Sequence, residues 1–367
     1  MRSKTKWKAL FLAALFSFVG TYSVFGVEVR SAGKIEFSPG SVSSPLETQG
    51  FCLTEDELII TPIQDEGKID VFEINDSHLE LIKVIGRKGF DFLEPTFCSY
   101  NQKEGKLGVL DFEKRNILIY DRISRDEFEF KREIPCLRLA TDIQFTGVKG
   151  DKVLIAGYMP DEDGNPYDLY EVSADGQITF LLHSYDKYGL ASDAEYNAKY
   201  RGKDKDDYKA KGLDSWFDVQ GDDVYFVWSP KCSIIKLNLK SRQVTFFGQK
   251  PRFYVEPSSG KLLEALGKRD LQMMETARQS MSYISKVYTT QEFVLVIFEG
   301  PFNQGNGLNI TLQFYDLDGR YLGEAAIPGK PGDRMHFDKE KKMLYSLAKN
   351  PSSGDPGYFI SKYTISR

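Results

Sequence analysis

The densest run of oxygen ligands in the sequence is Asp161-Glu162-Asp163-Gly164-Asn165, followed by Asp168. Alternating carboxylate and amide oxygens around a glycine can wrap Ca2+, with Asp161, Asp163 and Asn165 as the candidate ligands. The run lacks the distal glutamate that completes an EF-hand loop, and a long acidic hairpin accounts for it without a metal. The three histidines, His78, His183 and His336, are far apart and show no ligand spacing. No His-x-x-x-His pair, Cys-x-x-Cys pair, Gly-x-Ser-x-Gly turn or phosphate-binding glycine loop occurs. Nucleophilic hydrolysis by a recognised arrangement therefore has no support in the sequence. Tyr158, Trp228 and Phe302 offer stacking surface for the rim of a pocket, although packing between blades is the default explanation for aromatic residues in an all-β protein.

The elements that would position these residues announce themselves by repetition. A strand followed by a polar turn recurs as Val71-Phe72-Glu73-Ile74-Asn75-Asp76, Ile119-Tyr120-Asp121-Arg122 and Leu169-Tyr170-Glu171-Val172-Ser173. It returns as Lys236-Leu237-Asn238-Leu239, Phe314-Tyr315-Asp316-Leu317-Asp318-Gly319 and Lys362-Tyr363-Thr364-Ile365. The large apolar residues stand 48, 50, 67, 78 and 48 positions apart. Self-similarity at a period of this size marks a repeat architecture. Between the marks, alternating apolar and polar residues with turn signals give about four strands per unit. The expected fold is all-β, a six-bladed β-propeller with blades at roughly 51–85, 96–134, 142–183, 215–247, 283–326 and 333–367. The last unit is one strand short, and residues 34–37 supply a spare strand that would close the ring and cover its open edge. Two long intervals hold insertions, 189–212 and 257–282, that read as helical decoration; the second carries Leu262, Leu263, Leu266, Leu271 and Met274 at helical spacing.

The N-terminus reads as an export signal over residues 1–26. Arg2, Lys4, Lys6 and Lys8 precede an apolar run from Ala9 to Val19, and small or apolar residues end it at Val24-Phe25-Gly26. That run is short for a membrane span, and no other long apolar stretch follows, so the mature chain is not expected to insert stably in a membrane; a retained N-terminal anchor is the competing reading of the same run. Residues 27–367 then form the propeller, in the periplasm or secreted. Without the four basic residues of the signal, 44 basic face 53 acidic residues, a net charge of −9. Such a balance argues against nucleic acid as a partner. The four cysteines, Cys52, Cys98, Cys136 and Cys232, are too few for a disulfide-built scaffold. Cys52 and Cys98 occupy equivalent places in successive units, where sheet spacing of about 10 Å argues against a bond and favours buried thiols.

The segments Val84-Ile85-Gly86-Arg87-Lys88-Gly89-Phe90, Glu94-Pro95-Thr96-Phe97, Gly108-Val109-Leu110-Asp111 and Arg115-Asn116-Ile117-Leu118-Ile119-Tyr120-Asp121 resemble an NHL-type repeat. On these residues the chain looks like the exported bacterial six-bladed propellers of the NHL and TolB-like group. The resemblance is carried by the first two units; elsewhere only strand rhythm and turns support it. It implies a structural role for Asp111 and Asp121 in turns. Lactonase-type members hold Ca2+ on the axis with carboxylates from several blades, which makes Asp111, Asp142, Asp218 and Glu299 candidates here at strand ends. With Tyr158 and Trp228 these make up the candidate ligand-binding set. The leading expectation is a non-enzymatic scaffold that binds a protein, peptide or glycan on its decorated face or in its central funnel. The alternative is a Ca2+-dependent lactonase-like hydrolase.

Overall fold

The structure, a computed structural model, describes residues 21–24, 27–37, 50–56, 58–63, 66–75, 78–86, 91–135, 140–146, 152–163, 165–183, 215–228, 232–255, 276, 280, 282–301, 310–329, 334–349 and 358–366. Residues 1–20, 25 and 26 of the expected signal, all of 189–212, and all of 257–282 except Thr276, Ser280 and Ser282 lie outside this set. Thr276 is the one helical residue among those described, so the expected helical decoration has no described helix behind it.

β1 (Thr21–Val24) and β2 (Val27–Phe37) form an N-terminal hairpin. β3 (Cys52–Leu53), β4 (Leu58–Ile63), β5 (Lys68–Asn75) and β6 (His78–Ile85) then pair antiparallel in chain order. A four-stranded sheet follows from β7 (Pro95–Asn101), β8 (Lys106–Asp111), β9 (Asn116–Arg122) and β10 (Phe128–Pro135). The next comprises β11 (Ala140–Thr146), β12 (Lys152–Pro160), β13 (Pro166–Val172) and β14 (Ile178–His183). A third has β15 (Ser215–Gln220), β16 (Asp223–Trp228), β17 (Ile234–Asn238) and β18 (Val244–Phe247). The fourth has β19 (Tyr283–Thr289), β20 (Val294–Glu299), β21 (Ile310–Tyr315) and β22 (Tyr321–Ile327). β23 (Arg334–Asp338), β24 (Met343–Lys349) and β25 (Tyr358–Ser366) end the described chain. β2 joins them, antiparallel to β25 from Glu28 opposite Ser366 to Glu36 opposite Phe359. A short parallel contact, Glu36 with His78 and Phe37 with Leu79, links β2 to β6 and makes one nine-stranded sheet of β1 to β6 and β23 to β25.

Burial explains the repeated phrase. Phe72, Tyr120, Tyr170, Leu237, Tyr315 and Tyr363 fall in β5, β9, β13, β17, β21 and β25 and are all buried. Each of these strands has a paired strand on either side and a packed sheet against its face, so a large apolar residue there sits in core. β4 and β20 are buried at every position, which a strand covered on both faces requires.

Each apolar cluster joins one run of strands to the next. Leu58 and Ile69 meet Leu107 and Val109; Ile117 and Ile119 meet Ile143 and Ile155; Leu154 and Leu169 meet Phe217 and Phe226. Tyr225 and Ile234 meet Ile284 and Val296, and Phe293 and Leu312 meet Phe337, Leu344 and Val29. Tyr345 and Ile360 return to Ile59 and Phe72, which closes the circle. Sheets packed face to face in a closed ring are a β-propeller.

Candidate functional site

The first strand of each run, β3, β7, β11, β15, β19 and β23, lines one cavity of about 840 Å³. This is within the usual size of a small-molecule site. Polar ties connect several of these strands. Gln144 donates from Nε2 to the Phe217 carbonyl at 2.8 Å, and the Phe217 amide donates to Asp142 Oδ2 at 3.3 Å. Asp218 Oδ2 accepts from the amide and hydroxyl of Thr289 at 2.5 and 2.8 Å, while Lys339 Nζ donates to Oδ1 at 2.6 Å. The Tyr288 hydroxyl donates to the Met335 carbonyl at 2.7 Å. The Sγ atoms of Cys52 and Cys98 are 3.0 Å apart, both residues buried and unbridged. The spacing of flat sheets argues against such an approach; inner strands of neighbouring sheets converge towards the axis and bring these thiols into contact. Cys136 lies outside the described residues.

Lys286 of β19 reaches across the cavity. Its Nζ is 3.6 Å from the Trp216 ring centroid, 4.2 Å from that of Phe97 and 3.6 Å from Asp142 Oδ2. Aromatic faces attract a cation within about 6 Å. The side chain is only 13% exposed. Burial lowers the Lys286 ammonium to a pKa of about 8 against the opposing pull of Asp142. Burial likewise pushes the Asp142 carboxyl up to about 6, with Lys286 and two backbone amides resisting and Asp218 adding to the rise. Burial thus works against the charged form of both partners. Burial and Lys286 lower His336 to about 3, so its imidazole is neutral at pH 7. Burial, reinforced by Asp142 and Asp218, holds the Tyr288 phenol well above its ordinary value.

Backbone irregularity aims these side chains. The pairing register slips between Pro95 and Phe97 in β7, between Ala140 and Asp142 in β11, and between Ile284 and Lys286 in β19. A β-bulge inserts one residue and turns the next side chain to a new direction. Here bulges directly precede Phe97, Asp142 and Lys286, which come from three strands and converge on one point.

Of the residues singled out from the sequence, Asp142, Asp218 and Glu299 line the cavity. Glu299 is buried and its carboxylate accepts a hydrogen bond from the Tyr283 hydroxyl. Asp111 is not among the lining residues; it accepts from the amides of Leu93, Glu94 and Lys114 at 2.7, 3.1 and 3.0 Å and so pins a turn. Trp228 packs in the core beside Phe226. The side chain of Tyr158, and all of Phe302, lie outside the described set. Asp161 accepts from the backbone amide and side chain of Asn165 at 2.7 and 2.9 Å, closing an exposed hairpin, and Asp163 is exposed. Among the described residues no group of three or more His, Cys, Asp or Glu could hold a metal. The chemistry of the cavity carboxylates points the same way. Lys286 and Lys339 already stand against Asp142 and Asp218, so a Ca2+ ion placed there would meet two ammonium groups. The donor set does not fit a calcium centre. Lys286, Trp216, Phe97 and His336 were not legible as a site, because they line the cavity from four strands far apart in the chain.

No family profile matches the sequence, and no curated protein is similar to it. The fold does have solved counterparts. A protein of Bacteroides fragilis assigned as exported superposes with a TM-score of 0.58 at 10% identity, covering 95% of this chain and 98% of the other. Regucalcin of Agrobacterium tumefaciens, a calcium-binding protein, gives 0.49 at 11% identity over 90% of this chain and 93% of its own. A virginiamycin B lyase of Staphylococcus aureus gives 0.43 at 9% identity over 92% and 99%. Fold and cavity together define an all-β propeller with an aromatic, ion-paired central chamber. Among the described residues no helix is long and apolar enough to cross a membrane.

Proposed function

We propose that residues 27–367 form an exported six-bladed propeller of the NHL and TolB-like kind, and that its central chamber binds a glycan or peptide. The blade count is supported by the way the nine-stranded sheet divides at the short β2–β6 contact into two four-stranded units. It is supported equally by six apolar clusters, each between successive units. Residues 1–26 carry the export reading through their basic opening and short apolar run.

The observation that carries the binding reading is the wall of the chamber. Phe97, Trp216, Tyr283 and Tyr288 line it together with Gln144, Asp142, Asp218 and Glu299. Flat apolar faces beside fixed hydrogen-bonding groups suit sugar rings and peptide side chains. The calcium-dependent hydrolase reading is weakened by the lysines that face the axial carboxylates. The test uses intrinsic fluorescence. The chain has three tryptophans, of which Trp7 falls in the expected signal, so mature Trp228→Phe protein reports from Trp216 alone. Titration with a glycan and peptide panel should give saturable quenching that Trp216→Phe abolishes. A flat response to the whole panel refutes binding in the chamber.

A further inference from the structure

We propose that Lys286 is an amine nucleophile that captures an aldehyde- or ketone-bearing ligand, such as the open-chain reducing end of a sugar, as an imine in the central chamber. The proposal rests on the chamber being a ligand site and names the chemical class it takes.

Two lysines in the chamber face carboxylates, and they differ. Lys339 Nζ donates to Asp218 at 2.6 Å, and that carboxylate also fastens Thr289 of the next sheet. This is the short contact expected of a structural ion pair. Lys286 Nζ stands farther off, 3.6 Å from Asp142, and lies over two aromatic faces as well. A brace between sheets needs no such arrangement. It needs still less the bulges before Phe97, Asp142 and Lys286, which bring three strands to one nitrogen at the edge of open volume.

Desolvated lysines are activated as nucleophiles because the neutral amine is favoured over the ammonium. The charged groups that bear on Lys286 are Asp142 and Asp218, which hold the proton on, and Arg334, which opposes it; Lys339, His336 and Tyr288 share the chamber. With its pKa lowered towards 8, Lys286 carries a far larger share of free base at pH 7 than an ordinary lysine does. The step balances without a co-reactant. The Nζ lone pair adds to the carbonyl carbon, the carbonyl oxygen takes a proton, and the carbinolamine loses that oxygen as water to leave C=N. Asp142, 3.6 Å from the nitrogen, is placed to carry the proton from amine to departing hydroxyl.

The test is reductive trapping on the mature protein. D-glyceraldehyde and pyruvate are each offered with cyanoborohydride between about pH 6 and 10, and peptide mass spectrometry follows the adduct at Lys286 against Lys240, whose side chain is 77% exposed. At pH 7 Lys286 should be labelled at least tenfold faster with one of the probes, the advantage shrinking towards pH 10 as both amines become free. Lys286→Arg should lose the fast phase while keeping the positive charge. Labelling of Lys286 no faster than Lys240 at every pH overturns the proposal and leaves a cation held by aromatic rings for structure alone. Trp216 quenching separates the two readings: a glycan or peptide that quenches without any fast trapping sinks the imine and spares the binding chamber.

Discussion

His336 and Asp218 show how single side chains set the conditions under which the chamber exists. His336 lies between Phe51 and Tyr288, with ring centroids 5.8 and 6.3 Å away, and its pKa is lowered from 6.5 to about 3. The unfolded chain therefore binds this proton in a window where the folded chain refuses it. The stability it contributes is complete above pH 6.5 and is lost as pH falls towards 3, by about 1.4 kcal/mol for every pH unit crossed. Asp142 works in the opposite sense between its ordinary value and about 6, so the comparison must be between proteins. Urea unfolding at pH 7 and pH 4.5 should show the wild type losing on the order of 2 kcal/mol more than His336→Gln; equal losses would mean that the imidazole is not held neutral. Asp218, only 2% exposed on its side chain, accepts from Thr289 twice and from Lys339 once. Asp218→Ala leaves the buried amide and hydroxyl of Thr289 without their acceptor, while the Lys339 ammonium, on a side chain 39% exposed, is rehydrated; the cost should be about 1–3 kcal/mol, with Asp218→Asn costing less because its oxygen still accepts. Thermal unfolding of the two variants checks the ranking. At this scale the sequence was half legible. Carboxylates at strand ends led to Asp142, Asp218 and Glu299, but Lys286, Phe97 and Trp216 meet from strands far apart in the chain and by way of bulges. No local spacing records either fact.

Strands and their turns were far easier to read, because alternation and turn chemistry act within a few residues. Asp175-Gly176 and Asp318-Gly319 both mark hairpins, and both glycines adopt positive φ, 85° and 90°. In each turn the glycine amide bonds back three residues, to Ser173 and to Asp316, at 3.0 Å. The two differ only in what surrounds them. A Cβ on Gly176 would meet nothing within 4 Å, whereas one on Gly319 would lie 2.5 Å from Phe247 Cγ of the preceding sheet. Gly176→Ala should therefore cost about 1 kcal/mol for the left-handed backbone alone. Gly319→Ala adds a clash with a ring that also packs on Tyr225 and Tyr315, and should cost about 2–4 kcal/mol in all. Urea midpoints measure both, and equal costs would show that Phe247 yields freely. The same locality sets what was out of reach: a bulge slips register by one residue without any turn residue to announce it, and although buried free thiols were expected and found, the contact of Cys52 with Cys98 depends on how two sheets converge, which neither strand encodes.

The ring as a whole rests on a pairing between opposite ends of the chain. β2 lies between β25 and β6, and it contributes Val27, Val29 and Ile35, all buried, to two of the apolar clusters. A missing strand at one terminus and a spare one at the other could be seen in the sequence, but the reach of β2 along nearly all of β25 could not, since its middle, Arg30 to Lys34, is exposed and carries no large apolar residue. Burying three such aliphatic side chains is worth about 5–8 kcal/mol, comparable with the whole stability of an ordinary domain. Removing residues 27–37 along with 1–26 also strips the hydrogen-bonding edge of β25 and leaves it open to other chains. The truncated protein should elute as aggregate and lose its cooperative thermal transition, and a synthetic peptide of residues 27–37 added during refolding should restore a monomer. Removing residues 1–26 instead deletes, among the described residues, β1 alone, which pairs with β2 alone in its sheet, and should leave the transition within a few degrees of the full chain. If the protein lacking 27–37 stays monomeric and melts cooperatively, the ring is closed by some other contact and β2 is a decoration upon it.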